Sequence, residues 1–289
     1  MKPAAIVIAL LSIASWSAAQ NSGQPQNPPA GAQTAPGTAA APAPKRPPQT
    51  KTQPEYDAWK AASANADPAA LEKAADDFAV KFPDSEVRIL IYKNAMRQYQ
   101  MANSAEKTEA MGRKVLAIDG DDPEALVIVS QVIAERTRDS DLDKDQRYDE
   151  ATKMAQKATQ TVDTDLSIPA GTPQDKIDAY KAGLRSQAYS IMGTIDYKKE
   201  NFPAAQIDLQ KSIDAFPSEP DSVVVLRLAL ALDKQGKYPE ALKVAIRAVE
   251  LTKEGETVGT YARRERDRLQ QLTGGTAAPA PAQNQPPKN

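Results

Sequence analysis

The stretch from Ser186 to Glu254 carries one pattern twice, and this duplication limits the fold more than any other feature of the chain. Phe202, Pro203 and Ala205 each have a counterpart 36 positions later, in Tyr238, Pro239 and Ala241. A period in this range belongs to stacked repeats, in which one small unit cannot bury its apolar face alone. Each copy reads as two amphipathic helices joined by a tight turn. In the second copy Val223, Leu226 and Leu230 recur at helical spacing. Gln235-Gly236 stops that helix, because glycine is favoured just past a helix end. Pro239 then sits in the first turn of the next helix, where its missing N–H costs nothing. Ala241, Leu242, Ala245, Ala248 and Val249 form the inner face of this second helix. Small residues, Gly193 with Ala205 and Ala229 with Ala241, let the paired helices approach closely.

The same punctuation extends outward from this core. A first pair spans Glu55 to Phe82, with Asp67-Pro68 opening its second helix as cap and first residue. A second pair spans Glu86 to Asp119, with Ile89, Tyr92, Met96 and Tyr99 on one helix and Met111, Val115 and Leu116 on the other. A third begins at Pro123, and its second helix starts near Tyr148. Two insertions break the period, Arg136 to Arg147 and Thr161 to about Ser186. In the latter, Ile177, Tyr180, Leu184, Ala188, Ile191 and Ile195 continue one stripe, which predicts an unusually long first helix in the fourth pair. A final helix, Glu256 to Leu272, is apolar on one face (Val258, Ala262, Leu269, Leu272) and polar elsewhere, as the end of a stack must be.

Tyr189, Gly193, Ala205, Ser212 and Pro217 in one copy, and Leu232, Tyr238, Ala241 and Ala248 in the other, resemble the large-small-large-Ala-small pattern of the tetratricopeptide repeat (TPR) family. The resemblance implies an all-α protein: a right-handed α-solenoid of about five helix-turn-helix pairs over residues 55–272, plus a C-terminal capping helix. It also implies a concave groove lined by the first helix of each pair. Carried over by position, the groove residues are Lys93, Arg97, Gln131, Thr194, Tyr197, Lys198 and Asp233. A subset of the family clamps C-terminal carboxylates with lysines and asparagines, but the asparagines are absent here. The implied partner is a protein or peptide.

Composition removes most catalytic classes. The 289 residues include no cysteine and no histidine, which excludes disulfides, thiol nucleophiles, Cys/His zinc sites and every arrangement that depends on histidine. No enzyme activity, cofactor or metal is expected. The net charge of −2 provides no global field for nucleic acid, and the arginines at 263, 264, 266 and 268 are interleaved with acids. One acidic segment suggests an alternative. Asp139, Asp141, Asp143, Asp145 and Glu150 have the carboxylate spacing of an EF-hand loop, which would make a calcium-dependent or enzymatic module. Lys144 stands where that loop needs glycine, and Gln146 where it needs an apolar residue. A further alternative is a self-associating structural protein of the envelope.

The ends differ in kind from the middle. Residues 1–19 read as a signal peptide: Lys2, an apolar run from Ala4 to Ile13, then Ser17-Ala18-Ala19 before Gln20. The run is too short to span a bilayer comfortably, although an uncleaved anchor is the other option. Residues 20–54 and 273–289 are Pro/Ala-rich and lack the apolar content that offsets ordering entropy, so both are expected to be disordered. The sequence therefore reads as an exported interaction scaffold of the periplasm or cell envelope.

Overall fold

A computed structural model describes residues 45–274 apart from residue 170; the expected signal segment, residues 20–44 of the expected linker and residues 275–289 of the expected tail lie outside the described residues. Eleven helices and no strands make up the described part. They form five consecutive hairpins and a closing helix. The hairpins are α1 (Gln53–Ser63) with α2 (Pro68–Lys81), α3 (Arg88–Met101) with α4 (Ala105–Ile118), α5 (Pro123–Arg136) with α6 (Lys144–Thr161), α7 (Gln174–Lys198) with α8 (Phe202–Ala215), and α9 (Ser222–Lys234) with α10 (Tyr238–Glu250). The closing helix is α11 (Thr257–Leu272). Each helix packs on the next in order, and contacts beyond the next-but-one helix are slight. This is an α-solenoid of TPR-like hairpins.

Local chemistry starts and stops the helices. Asp67, Asp122 and Asp221 cap α2, α5 and α9 by accepting from Ala70, Ala125 and Val223 backbone N–H groups at 2.8, 2.9 and 2.8 Å. Three of the hairpin turns are the same object. In each, a residue with left-handed backbone follows the helix: Asn103 (φ 55°), Glu200 (φ 59°) and Gly236 (φ 72°). The next N–H then reaches back five residues, Ser104 to Tyr99 O, Asn201 to Asp196 O and Lys237 to Leu232 O, at 2.9 to 3.0 Å. This is the Schellman closure, which satisfies carbonyls left open at a helix end. Only the last copy uses the residue best suited to it.

Three linked cores run along the stack. Leu71, Phe78, Ile91, Met96 and Val115 fill the first two hairpins. Val129, Ile133, Tyr148, Ala155, Ala188 and Ile195 join the third to the fourth. Leu209, Val225, Ala229, Ala241, Ala248 and Leu269 close the end against α11. Gly193 marks the tightest approach between α7 and α8: a Cβ there would meet Leu209 Cγ at 2.7 Å and Leu209 N at 2.9 Å. The small residue lets the two helices touch at backbone distance, as the repeat pattern requires.

Two features depart from the sequence reading. First, α6 starts at Lys144, about one turn before Tyr148. Helix therefore takes up the second half of the segment that has calcium-loop spacing. Second, residues 45–51 are not a free linker but a strap laid across the junctions between hairpins. Lys45 N donates to Thr164 O at 2.8 Å, in the segment between α6 and α7, and its ammonium pairs with Asp119 before α5. Arg46 forms a two-pronged bond to Glu86 before α3, at 2.8 and 2.6 Å. Lys51 N donates to the buried Glu55 carboxylate at 2.7 Å, and Ser85 Oγ donates to the same group at 2.5 Å. The basic strap matches acidic junctions, a pairing of residues 40 to 74 positions apart that no local pattern announces.

Candidate functional site

The odd-numbered helices form one layer. Helix α1 approaches α3, α5 approaches α7, α7 approaches α9 and α9 approaches α11; the even-numbered helices make no comparable approach among the described residues. Helices α3 and α5 are joined instead by ions. All seven groove residues carried over from the family pattern stand on this layer, on α3, α5, α7 and α9.

They divide into two groups. Lys93 and Arg97 are already occupied. Lys93 is buried, with its Nζ 2.7 Å from Asp122 Oδ2 and 3.0 Å from Glu124 Oε2. Arg97 NH2 donates to Glu124 Oε2 at 2.6 Å. Burial alone would raise the Glu124 carboxyl, but the Lys93 and Arg97 charges outweigh it and hold it down to about 2. Burial likewise opposes the Lys93 ammonium, yet Glu124 and Asp122 keep its pKa above the ordinary value. Tyr180, from the added N-terminal turns of α7, lies against the same pair, and burial next to Glu124 pushes its phenol well up. The cations that the sequence placed in a groove thus lock α3 to the first turn of α5, under the projecting part of α7.

The second group is open. Gln131 is half-buried and bonds only within its own helix, to Glu135 at 2.8 Å. Thr194 and Tyr197 are half-buried on α7, and Lys198 is exposed one turn after Thr194. Tyr197 stands edge-on to Phe202, with ring centres 5.4 Å apart. Lys198 Nζ donates to Ala134 O at 2.7 Å and lies 5.4 Å over the Tyr148 ring. Asp233 is the exception in this group, tied to Arg268 of α11.

One residue of this surface escaped the sequence reading. Arg227 interrupts the apolar run of α9, Ser-Val-Val-Val-Leu-Arg-Leu-Ala-Leu-Ala-Leu. Its NH1 donates to Thr194 Oγ1 at 2.8 Å. Burial lowers its pKa, and the acids that oppose this, Asp221 and Glu135, act only at a distance. A lone arginine amid aliphatic residues was the available signal.

The carboxylates of the acidic segment do not converge among the described residues. No group of three or more acidic side chains is placed to hold a metal among the described residues. Glu150, which would close the calcium loop, instead lies on α6 and accepts from Arg113 NH1 at 2.8 Å. Asp141 accepts from Arg138 N at 2.9 Å, in a tight turn of the chain's own making. No helix among the described residues is long and apolar enough to cross a membrane.

No family model matches the chain, and no curated protein matches it. Among solved structures it is similar to YrrB, a TPR protein with an unusual peptide-binding site, at 17% identity over 70% of this chain and 86% of that one, with a TM-score of 0.47. It is also similar to the MamA protein, at 14% identity over 65% and 83%, with a TM-score of 0.45. A thermophilic TPR protein of Thermus thermophilus follows at 11% identity, over 73% and 98%, with a TM-score of 0.45. These likenesses are distant, and the hairpin stack stands on the chain's own helices.

Proposed function

We propose that this stack of TPR-like hairpins is a non-catalytic scaffold of the periplasm or cell envelope, holding a peptide or a partner's helix along its layer of first helices. The observation that carries this is the row Gln131, Thr194, Tyr197 and Lys198. These are polar and aromatic side chains left partly open on α5 and α7, the adjoining inner helices. Amphipathic segments dock on surfaces of this composition through a few anchors and many neutral contacts. A chain without cysteine or histidine supports the absence of chemistry. Export is supported by the charged start, apolar run and small residues of positions 1–19.

A photo-crosslinking residue at position 131 in the full chain tests the surface in living cells. The same group at Val80 on α2, which is 84% exposed, is the control. Adducts with a second protein from position 131 and not from position 80 are expected. Equal adducts from both, or none from 131, would reject the inner layer as the docking face. Recovery of a mature chain beginning at Gln20 from the periplasmic fraction tests the location.

A further inference from the structure

The inner layer treats its cations in two ways. Toward the N-terminal end, Lys93 and Arg97 are neutralised by Asp122 and Glu124. On α7 and α9, neither Arg227 nor Lys198 has a carboxylate oxygen within 4.0 Å among the described residues, although ion pairs are common elsewhere in the stack. Arg227 spends one N–H on Thr194 Oγ1. That hydroxyl donates its own proton to Ser190 O at 2.7 Å, so its lone pairs are fixed toward the guanidinium. A guanidinium has five N–H donors in a rigid fork, and most of this fork is unused by the protein. Burial lowers both pKa values, and the Arg227 charge adds to the lowering at Lys198. Glu135, Asp139 and Asp221 relieve this only at a distance. Keeping such a group half-buried without a counter-ion is unfavourable unless something supplies one.

We propose that Arg227, with Thr194, Tyr197 and Lys198, receives the side-chain carboxylate of an acidic residue in a peptide lying across α7 and α9. This rests on the scaffold reading above and names the chemistry of its ligand. The guanidinium fork matches a carboxylate in two-pronged geometry. Lys198 supplies a second positive charge one turn away, and Tyr197 offers an apolar wall beside it. The inner layer continues on both sides of the site, through α5 and α11, so a bound segment runs past it in both directions. A side chain suits that course, whereas a chain end would stop there.

The test is solution NMR on the full chain, titrated with N-acetyl-glutamate N-methylamide, its glutamine analogue, and N-acetylglycine as the chain-end carboxylate. Saturable shifts of the Arg227 Nε–H, the Thr194 methyl and the Tyr197 ring are expected with the glutamate compound. They should be at least about ten-fold weaker with glutamine. Arg264, exposed and outside the site, should not move. Equal shifts at Arg264 would reduce the effect to non-specific pairing and overturn the site. A stronger response to N-acetylglycine would overturn the side-chain assignment. Arg227→Met should abolish the Thr194 and Tyr197 shifts while the melting temperature stays level or rises. A large fall in melting temperature would instead mark Arg227 as structural and sink the proposal. If no probe binds while crosslinking at position 131 persists, the carboxylate site fails and the scaffold stands. Loss of both removes the scaffold as well.

Discussion

Lys93 and Glu124 meet at 3.0 Å with neither side chain more than 6% exposed, and this contact fastens the second hairpin to the third. Its removal should be felt strongly. Glu124→Gln leaves a buried ammonium with Asp122 alone, and a broken buried pair costs about 3 kcal/mol or more. The same change at Glu150, whose pair with Arg113 is exposed on both sides, should cost under about 1 kcal/mol. Urea unfolding of both variants checks the ranking. Equal losses would refute a special role for the buried ion cluster.

The same carboxylate predicts an acid limb. Its ordinary value of 4.5 falls to about 2 in the folded chain, so the unfolded chain takes up the proton first. The stability it contributes is complete above about pH 4.5 and lost as pH falls toward about 2. Melting temperatures measured across that window should drop more steeply in the native chain than in Glu124→Gln. Parallel curves would contradict this.

Gly193→Ala should destabilise by about 2 kcal/mol, because the added methyl meets the Leu209 backbone nitrogen, which cannot rotate away. Better intrinsic helix propensity offsets up to about 1 kcal/mol of the clash. A variant as stable as the parent in calorimetry would show that α7 and α8 can part at little cost.

Glu200→Gly should stabilise by about 0.5–1 kcal/mol, because Glu200 occupies the left-handed position that Gly236 fills in the next repeat, and a side chain there carries a steric cost. The gain is limited by glycine's greater freedom when unfolded. Thermal unfolding of this single variant, with Gly236→Glu as its mirror, should give opposite signs.

The strap gives a further structural test. Lys45→Glu with Arg46→Glu opposes Asp119 and Glu86, and should expose Lys51 to trypsin at low salt. Unchanged cleavage kinetics would show the strap is held by something other than charge. Because both cations are well exposed, the energetic loss should be about 1 kcal/mol or less, and smaller in high salt.

The hairpin order was readable because its signals are local. Spacing of Leu and Ala, the glycine after α9, and Asp-Pro at the starts of α2 and α5 act within a few residues of themselves. The long α7 was legible for the same reason, from one continuous stripe. What escaped depends on register between helices. Lys93 reads as a solvent-facing lysine until Asp122 and Glu124 are placed opposite it. The strap has no periodicity, and only its three cations set it apart from the uncharged segment before it. The helix boundary was placed late because the acidic run from Asp139 reads as a loop up to Arg147, whereas helix begins at Lys144. The seven candidate positions stand on the inner layer, but their pairing was not legible, and Arg227, although it interrupts an aliphatic run, has its partner Thr194 on another helix.

The strap also decides where force would enter. Going from Lys45 toward α1, the chain first touches the junction before α7, then Glu86, and only then its own first helix. A pull on the chain ahead of Lys45 would therefore reach the stack amidships first. That load would pass on to Glu86 once Lys45 lets go, and to α1 only after Arg46 has followed.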